Sequence, residues 1–232
     1  MNNRLLNLDL YRAMAVVLMV VFHFTYDLHF FGFIELNTTK VAFWIYFRTF
    51  IVALFMSAAG MSLYLVYHTG LNVSKYKKRL LLLAVVSLII SLVTYLMFPQ
   101  SWIYFGVIHM IFVASVLGPF FAKKPNLSGV LGVFIVALYL LGYRMTPLFE
   151  LLQDILFLPP YYTEDLAPFI PWFGVVLLGV WAMHHRLLYI VKVPENPAIQ
   201  KLAYIGKHTL FIYLIHQPVL FSILGSLSYL IK

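Results

Sequence analysis

The sequence lacks cysteine entirely and contains few charged residues. Without cysteine, the chain can form no disulfide, thiol nucleophile or thiolate metal site. Only 10% of its 232 residues are charged, whereas soluble domains contain about 25%. With 63% hydrophobic residues and a mean hydropathy of +0.92, the composition predicts an integral membrane protein. No polar stretch is long enough to build a soluble core, so residues 1–232 are expected to form a single membrane domain.

Several functional motifs are also missing. The sequence has neither a phosphate-binding glycine loop nor a dinucleotide-binding fingerprint, which argues against nucleotide hydrolysis. Its first apolar run is too long for the core of a secretory signal peptide and has no small-residue cleavage site, so we expect a retained span. The net charge of +8 is distributed over the loops in a topological pattern, and no nucleic-acid partner is therefore expected.

What the sequence does contain is a series of long apolar segments, each bounded by polar or proline-containing stretches. Their length and continuity predict an all-α, polytopic membrane helix bundle. The seven predicted spans cover residues 8–31, 41–67, 79–98, 102–121, 128–144, 168–186 and 208–230.

The loops between these spans alternate in charge. Basic residues collect at the N-terminus and in the even-numbered loops: Arg4, Lys75, Lys77, Lys78, Arg79, Lys123, Lys124, Arg186, Lys192, Lys201 and Lys207. The opposite side carries only Lys40, Arg144 and Lys232, together with the acidic Glu35, Glu150, Asp154, Glu164 and Asp165. The positive-inside rule then predicts a cytoplasmic N-terminus and an external C-terminus.

Two loops are long enough to contain structure of their own. In the external loop 143–168, Pro147 is predicted to open a short amphipathic helix that lies in the membrane interface. The cytoplasmic segment 191–206 is polar and contains proline, and it is interpreted as a loop.

The first span carries four ionisable residues on one stripe. Asp9, Arg12, His23 and Asp27 fall within about 60° of one another at about 100° per residue. At about 1.5 Å of rise per residue, Asp9 and Asp27 lie about 27 Å apart, nearly the thickness of a bilayer core. Charged side chains in a membrane usually face a partner or a wet cavity, so the stripe predicts a polar pathway.

The stripe has two ends with different candidate chemistry. His23 and Asp27 are one helical turn apart, so the carboxylate can orient the imidazole as a general base, and the alternative is a structural pair that joins helices. Arg12 and Asp9 lie near the cytoplasmic end. They are either a cofactor contact or an interfacial anchor in which the arginine snorkels.

Other spans add further candidates. Arg48 is level with His23 and either pairs with Asp27 or contacts a substrate oxyanion. His109 follows Phe105-Gly106 in the fourth span, and His216 lies near the middle of the seventh. Lys207 and His208 open that span and, with nearby lysines, either bind an anionic cofactor or only set topology. No metal site is expected, because these spacings do not match a metal-ligand motif.

Several sequence blocks resemble membrane acyltransferases. The opening helix resembles that of the type-3 acyltransferases, and the closer similarity is to bacterial relatives of heparan-α-glucosaminide N-acetyltransferase. The blocks that carry it are Leu8-Asp9-Leu10-Tyr11-Arg12, His23-Phe24-Thr25-Tyr26-Asp27, Phe105-Gly106-Val107-Ile108-His109, Pro171-Trp172-Phe173-Gly174 and Tyr213-Leu214-Ile215-His216-Gln217-Pro218.

This resemblance implies transfer of an acetyl or short acyl group from cytoplasmic acetyl-CoA to an extracytoplasmic amine or hydroxyl. The acceptor would belong to an amino sugar or a cell-envelope glycan, and the protein to a bacterial inner (plasma) membrane. The lysosomal enzymes carry asparagine where His23 stands and a reactive histidine in the following loop. Here residues 32–40 contain no histidine.

The roles implied for individual residues follow from that chemistry. His23 is the candidate base, oriented by Asp27, and Arg48 or His109 would stabilise the oxyanion. Arg12, Lys207 and His208 would meet the CoA phosphates, Asp9 would belong to the same cofactor site beside Arg12, and His216 would line the passage. Direct transfer is favoured over an acetyl-histidine intermediate.

Two other functions compete with acyl transfer. A proton-coupled transporter or flippase would use the same stripe, although the sequence shows no inverted repeat and an odd number of spans. A non-catalytic scaffold would not need four aligned ionisable residues. Membrane lipid and a second copy of the chain, as a homodimer, are the remaining expected partners.

Overall fold

The computed structural model describes residues 3–156, 158–159, 163, 165–194 and 196–231. Glu164 and Lys232, which belong to the charge pattern, lie outside the described residues. Helices account for the regular structure of the described part of the chain. They are α1 (Asn3–Phe30), α2 (Ala42–Tyr67), α3 (Val73–Met97), α4 (Val107–Ala122), α5 (Pro125–Leu140), α6 (Thr146–Leu156), α7 (Phe169–His184), α8 (Pro197–Lys207) and α9 (Thr209–Ile231), with a 3-10 turn at Leu187–Tyr189.

The predicted all-helical, polytopic membrane class is confirmed. Within the described residues, four helical segments are long and apolar enough to cross a membrane: Leu6–Phe30, Ala42–Tyr67, Val73–Met97 and Thr209–Ile231. The apolar helices α4, α5 and α7 have 16 residues each. Each is therefore about 24 Å long, shorter than a bilayer core of about 30 Å. The count of seven spans and the sidedness of the termini stay predictions.

Several helix boundaries differ from the predicted ones for local reasons. The side chain of Asn72 accepts a hydrogen bond from the Lys75 amide and starts α3 at Val73, so the lysines predicted in a loop lie in its first turns. α4 begins at Val107 instead of residue 102, because the preceding segment is held in an irregular conformation. There the Phe105 carbonyl accepts a hydrogen bond from the Ala167 amide at 2.9 Å.

The two long loops gave opposite outcomes. The short helix predicted to begin near Pro147 is confirmed as α6, and its position in the interface stays a prediction. The loop predicted over residues 191–206 is wrong in its second half, which forms α8. Asn196 caps this helix by accepting a hydrogen bond from the Ile199 amide at 2.9 Å, and Pro197 occupies its first turn. Asparagine followed by proline is a favourable helix start.

The chain divides into two compact units. The first unit comprises Met1–Phe55 and Leu188–Lys232, and the second comprises Met56–Leu187. The expectation of a single functional domain stays a prediction.

In the first unit, α1 packs against both α8 and α9. A side chain at Gly206 of α8 would collide with the backbone carbonyl of Asp9, so glycine permits this close approach. At the other end of α1, the aromatic rings of Phe31 and Phe221 lie 5.2 Å apart. These contacts hold α1 along its length and fix the faces that its ionisable residues present.

In the second unit, α7 packs closely on α5, and α4 contacts α3, α5 and α7. The α5–α7 crossing is tight, because a Cβ atom at Gly132 would lie 2.9 Å from the Gly174 carbonyl oxygen. Small residues of this kind let membrane helices approach closely and gain van der Waals contact.

Candidate functional site

Most of the candidate residues belong to the first unit. α1 supplies Asp9, Arg12, His23 and Asp27, the start of α2 supplies Arg48, and the α8–α9 segment supplies Lys207, His208 and His216. His109 belongs to the second unit. Because Asp9 and Asp27 are about 27 Å apart along α1, the first unit has two separate polar regions.

The first region lies at the Asp27 end of α1. Asp27 is fully buried, with 0% of its surface exposed, and its Oδ1 accepts a 2.8 Å hydrogen bond from the Gln217 side-chain amide of α9. The expected hydrogen bond between His23 and Asp27 is not found among the described residues. Helical spacing does place the two on one face, but the carboxylate turns to α9, where an amide donor satisfies it.

His23 instead packs against His216. Their ring centroids are 4.8 Å apart at an interplanar angle of 63°. His23 also makes an edge contact with Phe22, with the ring centroids 5.5 Å apart. The α1 and α9 helices therefore bring two imidazoles and one carboxylate into a single cluster. His216 is the third titratable group, in addition to the predicted His23 and Asp27.

The His216 ring has a defined orientation. Its Nδ1 lies 2.7 Å from the Tyr213 carbonyl oxygen and 3.2 Å from that of Ile212. A carbonyl oxygen can only accept, so Nδ1 is the nitrogen that carries hydrogen, and this assigns the tautomer. In the neutral ring Nε2 then holds the lone pair.

Three buried atoms of this cluster have no hydrogen-bond partner in the described part of the chain: Asp27 Oδ2, Gln217 Oε1 and His216 Nε2. Each is an acceptor, given the hydrogen bonds that Gln217 and His216 already donate. A buried polar atom without a partner costs about 1–3 kcal/mol. The acceptor cluster of Asp27, His216 and Gln217 is therefore suited to a ligand that brings N–H or O–H donors.

Arg48 lies near this acceptor cluster but not in an ion pair with Asp27. Its side chain is exposed, and its positive charge acts on the His23 ring. The Arg48–Asp27 pairing that the sequence left open is absent from the ion pairs of the described residues. Arg48 thus remains a cation whose charge acts on His23.

The second polar region lies at the Asp9 end of α1. Arg12 forms an ion pair with Asp9 at 3.1 Å, and the positive charge of Lys207 also acts on the Asp9 carboxylate. The close packing of Gly206 on the Asp9 backbone brings the basic end of α8 to this point. The expected Asp9–Arg12 pair is confirmed as a contact, and its role in binding a cofactor stays a prediction.

An open groove adjoins this region. Its volume is about 350 Å³, and it is lined by Lys207, His208, Leu210, Phe211 and Leu214. Its lining combines Lys207 and His208 with three apolar side chains. Such a groove matches a ligand that combines an anionic group with an apolar chain.

His109 has a local structural role in the second unit. Its Nδ1 accepts a hydrogen bond from the Gly106 amide at 3.2 Å, and its Nε2 lies 3.0 Å from the Ser91 hydroxyl. Next to it, Asp165 accepts a hydrogen bond from the Val107 amide at 3.0 Å. The two side chains therefore cap the start of α4, and the expected oxyanion role of His109 stays a prediction.

In the described ranges, no group of three or more histidine and acidic side chains is arranged to hold a metal ion.

The functional residue that the sequence analysis did not single out is Gln217, which appears there only within the block that contains His216. Its signal was polarity within an otherwise apolar helix, since buried polar groups in membranes normally have partners.

With this geometry established, comparison with known families decides the assignment. The family model for the catalytic domain of heparan-alpha-glucosaminide N-acetyltransferase matches residues 4–218. The chain belongs to this family. The matched region contains all nine candidate residues and Gln217, and it confirms the resemblance inferred from the sequence blocks. No curated protein and no solved structure gives a significant match.

Family membership has three consequences for the function. It makes acetyl transfer the general chemistry of this chain. Together with the long apolar helices, it supports an integral membrane acetyltransferase. The polar stripe of α1 fits transport and acetyl transfer equally well, so it does not distinguish them. The family match does, and it favours acetyl transfer.

Proposed function

We propose that this protein transfers an acetyl group from cytoplasmic acetyl-CoA to an amine or hydroxyl on the opposite side of the membrane. The acceptor belongs to an amino sugar or a cell-envelope glycan, and the membrane is the bacterial plasma membrane. The observation that carries the proposal is the acceptor cluster, in which Asp27, His216 and Gln217 each leave one buried acceptor atom without a partner.

The acceptor cluster matches the chemistry of the nucleophile. An amino sugar or glycan brings several N–H and O–H donors, so its neighbouring hydroxyls can satisfy Asp27 Oδ2 and Gln217 Oε1 while the attacking amine or hydroxyl points at the thioester. An imidazole of the pair His23 and His216 then removes the proton as the new bond forms. A ternary complex with direct transfer needs no acetyl-histidine intermediate.

The donor binds at the other polar region. Arg12, Lys207 and His208 supply positive charge for the CoA phosphates, with Asp9 holding Arg12 in place. The apolar residues that line the groove together with Lys207 and His208 suit the start of the pantetheine arm. The stripe along α1 then leads from this region toward Asp27, and this extended path suits an extended donor.

The developing negative charge on the thioester oxygen needs a donor or a cation. Arg48 fits this role because its charge already acts on the His23 ring. His109 stays the second candidate from the sequence. We also propose that residues 1–232 act as one functional domain, and a homodimer is the proposed assembly.

The test uses the purified full-length protein in detergent or nanodiscs. It is given acetyl-CoA labelled in the acetyl group, with glucosamine or cell-envelope extract as acceptor. We expect saturable CoA release with transfer of label, and loss of that transfer in His23→Ala. If neither acetyl-CoA nor CoA binds or changes the thermal stability of the protein, the proposed function is wrong.

A further inference from the structure

The imidazole with the better defined geometry for proton transfer is His216, which the sequence placed only along the cofactor passage. We propose that His216 Nε2 is the general base of the transfer reaction, an inference that rests on the proposed function. Its supporting features are a fixed ring, a buried lone pair without a partner, and neighbours that can hold the acceptor.

The ring of His216 is fixed from its own helix. Its Nδ1–H donates to the carbonyl oxygens of Tyr213 and Ile212, at 2.7 and 3.2 Å. A backbone carbonyl on one ring nitrogen sets the tautomer and leaves the other nitrogen as a proton acceptor. Only 9% of the His216 surface is exposed, and Nε2 has no partner in the described part of the chain.

His23 lacks a corresponding constraint. Its ring makes aromatic contacts with Phe22 and His216, but no hydrogen bond of its imidazole is found among the described residues. Neither ring nitrogen of His23 is therefore assigned as the acceptor by a backbone contact. A general base must be positioned first, because proton transfer requires hydrogen-bond distance to the substrate.

The neighbouring residue completes the arrangement. Gln217 follows His216 in α9 and donates its amide hydrogen to Asp27 Oδ1 at 2.8 Å. This bond leaves Gln217 Oε1 and Asp27 Oδ2 as additional buried acceptors. An amino sugar or glycan can donate hydrogen bonds to these oxygens from its neighbouring hydroxyls, and the attacking amine or hydroxyl then presents its own hydrogen to His216 Nε2.

The proposed step is direct transfer of the acetyl group from the thioester to the acceptor. The acceptor nitrogen or oxygen attacks the thioester carbonyl carbon while its proton moves to His216 Nε2. The C–S bond then breaks, and the CoA thiolate leaves. The imidazolium returns the proton to that thiolate, so free CoA and the acetylated acceptor are released and the ring is neutral again.

The test substitutes asparagine for His216. In His216→Asn, the amide nitrogen takes the place of Nδ1 and keeps the donation to the helix carbonyls, but the basic Nε2 is gone. We expect the rate of labelled acetyl transfer to glucosamine to fall by about 10²–10⁴, the usual contribution of a general base. Acetyl-CoA should still raise the thermal stability of the variant.

The matched control is His29→Asn. The Nδ1 of His29 also lies 3.2 Å from a backbone carbonyl oxygen, that of Ile34, but His29 is outside the acceptor cluster. We expect this variant to transfer acetyl at the wild-type rate. Ring-nitrogen NMR of the wild type should show hydrogen on Nδ1 of neutral His216, with the signal assigned by its absence in His216→Asn.

The pH profile gives a further readout that a structural role would not move. Wild-type kcat should fall toward acid as the base becomes protonated, and His216→Asn should lose this dependence. Among the described residues, the titratable groups in contact with the ring are His23 on α1 and Tyr213 on α9. Asp27 is bonded to the adjacent Gln217, and the charge of Arg48 on α2 acts on His23.

The outcomes separate the two proposals. A fall of less than about tenfold in His216→Asn, an unchanged acidic dependence, or hydrogen on Nε2 of neutral His216 would overturn the assignment of the base. If the wild type transfers acetyl to no acceptor and does not bind acetyl-CoA, the proposed function fails, and this inference fails with it.

Discussion

The side-chain amide of Gln217 donates a hydrogen bond to Oδ1 of the buried Asp27 and thereby connects α9 to α1. The two residues are 190 positions apart in the sequence. This bond satisfies one oxygen of the carboxylate and leaves the other for a ligand. It therefore links the packing of the first unit to the chemistry proposed for it.

Removing this amide should weaken both the fold and the reaction. In Gln217→Ala, Asp27 Oδ1 loses its partner and neither carboxylate oxygen is satisfied, which should lower the free energy of unfolding by about 1–3 kcal/mol. Transfer should also fall, because the carboxylate is no longer oriented. Thermal unfolding and labelled transfer measure the two effects. Gln200→Ala, at an exposed position of α8, is the control and should change neither. An unaltered unfolding temperature in Gln217→Ala would show that the bond is not formed.

The contact between α1 and α8 should be sensitive to a single methyl group. A Cβ atom at Gly206 meets the Asp9 backbone, which cannot move aside as a flexible side chain can. Gly206→Ala should therefore cost about 1–3 kcal/mol, as overpacking does. Gly70→Ala is the matched control, since nothing lies within 4 Å of its Cβ position. Equal thermal stability of the two variants would contradict this packing.

Donor binding should depend on the basic end of α8. Lys207 lines the groove, so Lys207→Ala should raise the KM for acetyl-CoA. An exposed charge contact is worth about 0.5–1 kcal/mol, so the rise should be about two- to fivefold. Lys201→Ala, on the same helix but not in the groove lining, should leave this KM unchanged. Acetylpantetheine lacks the CoA phosphates, and its KM should be equal in all three proteins. A persistent difference with that donor would exclude a phosphate contact for Lys207.

His109 offers a way to separate capping from catalysis. His109→Ala removes the acceptor of the Gly106 amide and the contact with Ser91, so stability should fall by about 1 kcal/mol, a typical cap contribution. His109→Asn retains an acceptor near the Gly106 amide and should recover part of that loss. If the role is only structural, kcat should be close to wild type in His109→Asn. A large loss of kcat in a stable His109→Asn protein would instead support the oxyanion role.

The helical class and the polar face of α1 could be predicted because both depend on local periodicity. The length of the apolar segments predicts membrane helices. The four ionisable residues of the stripe share a face wherever α1 forms a helix. The same local reasoning placed His216 within the last span, but the expectation that Lys207 and His208 open that span is wrong, because Lys207 ends α8 and His208 caps it.

The partners of these residues could not be predicted in the same way. The contact between Gln217 and Asp27 depends on how α9 packs on α1, so it could not be predicted from local periodicity. The cap made by His109 also depends on tertiary structure, through Ser91 of the preceding helix. In contrast, α8 did have a local signal in Asn196 and Pro197, but the polar composition around it outweighed this helix start.

The most direct test of the account is transfer across a sealed membrane. Proteoliposomes containing the full chain receive labelled acetyl-CoA on one side only and glucosamine on the other. We expect labelled N-acetylglucosamine in the glucosamine compartment, with much less product from His216→Asn than from His29→Asn. Absence of product from wild-type protein in either orientation, together with no detectable CoA binding, would contradict it.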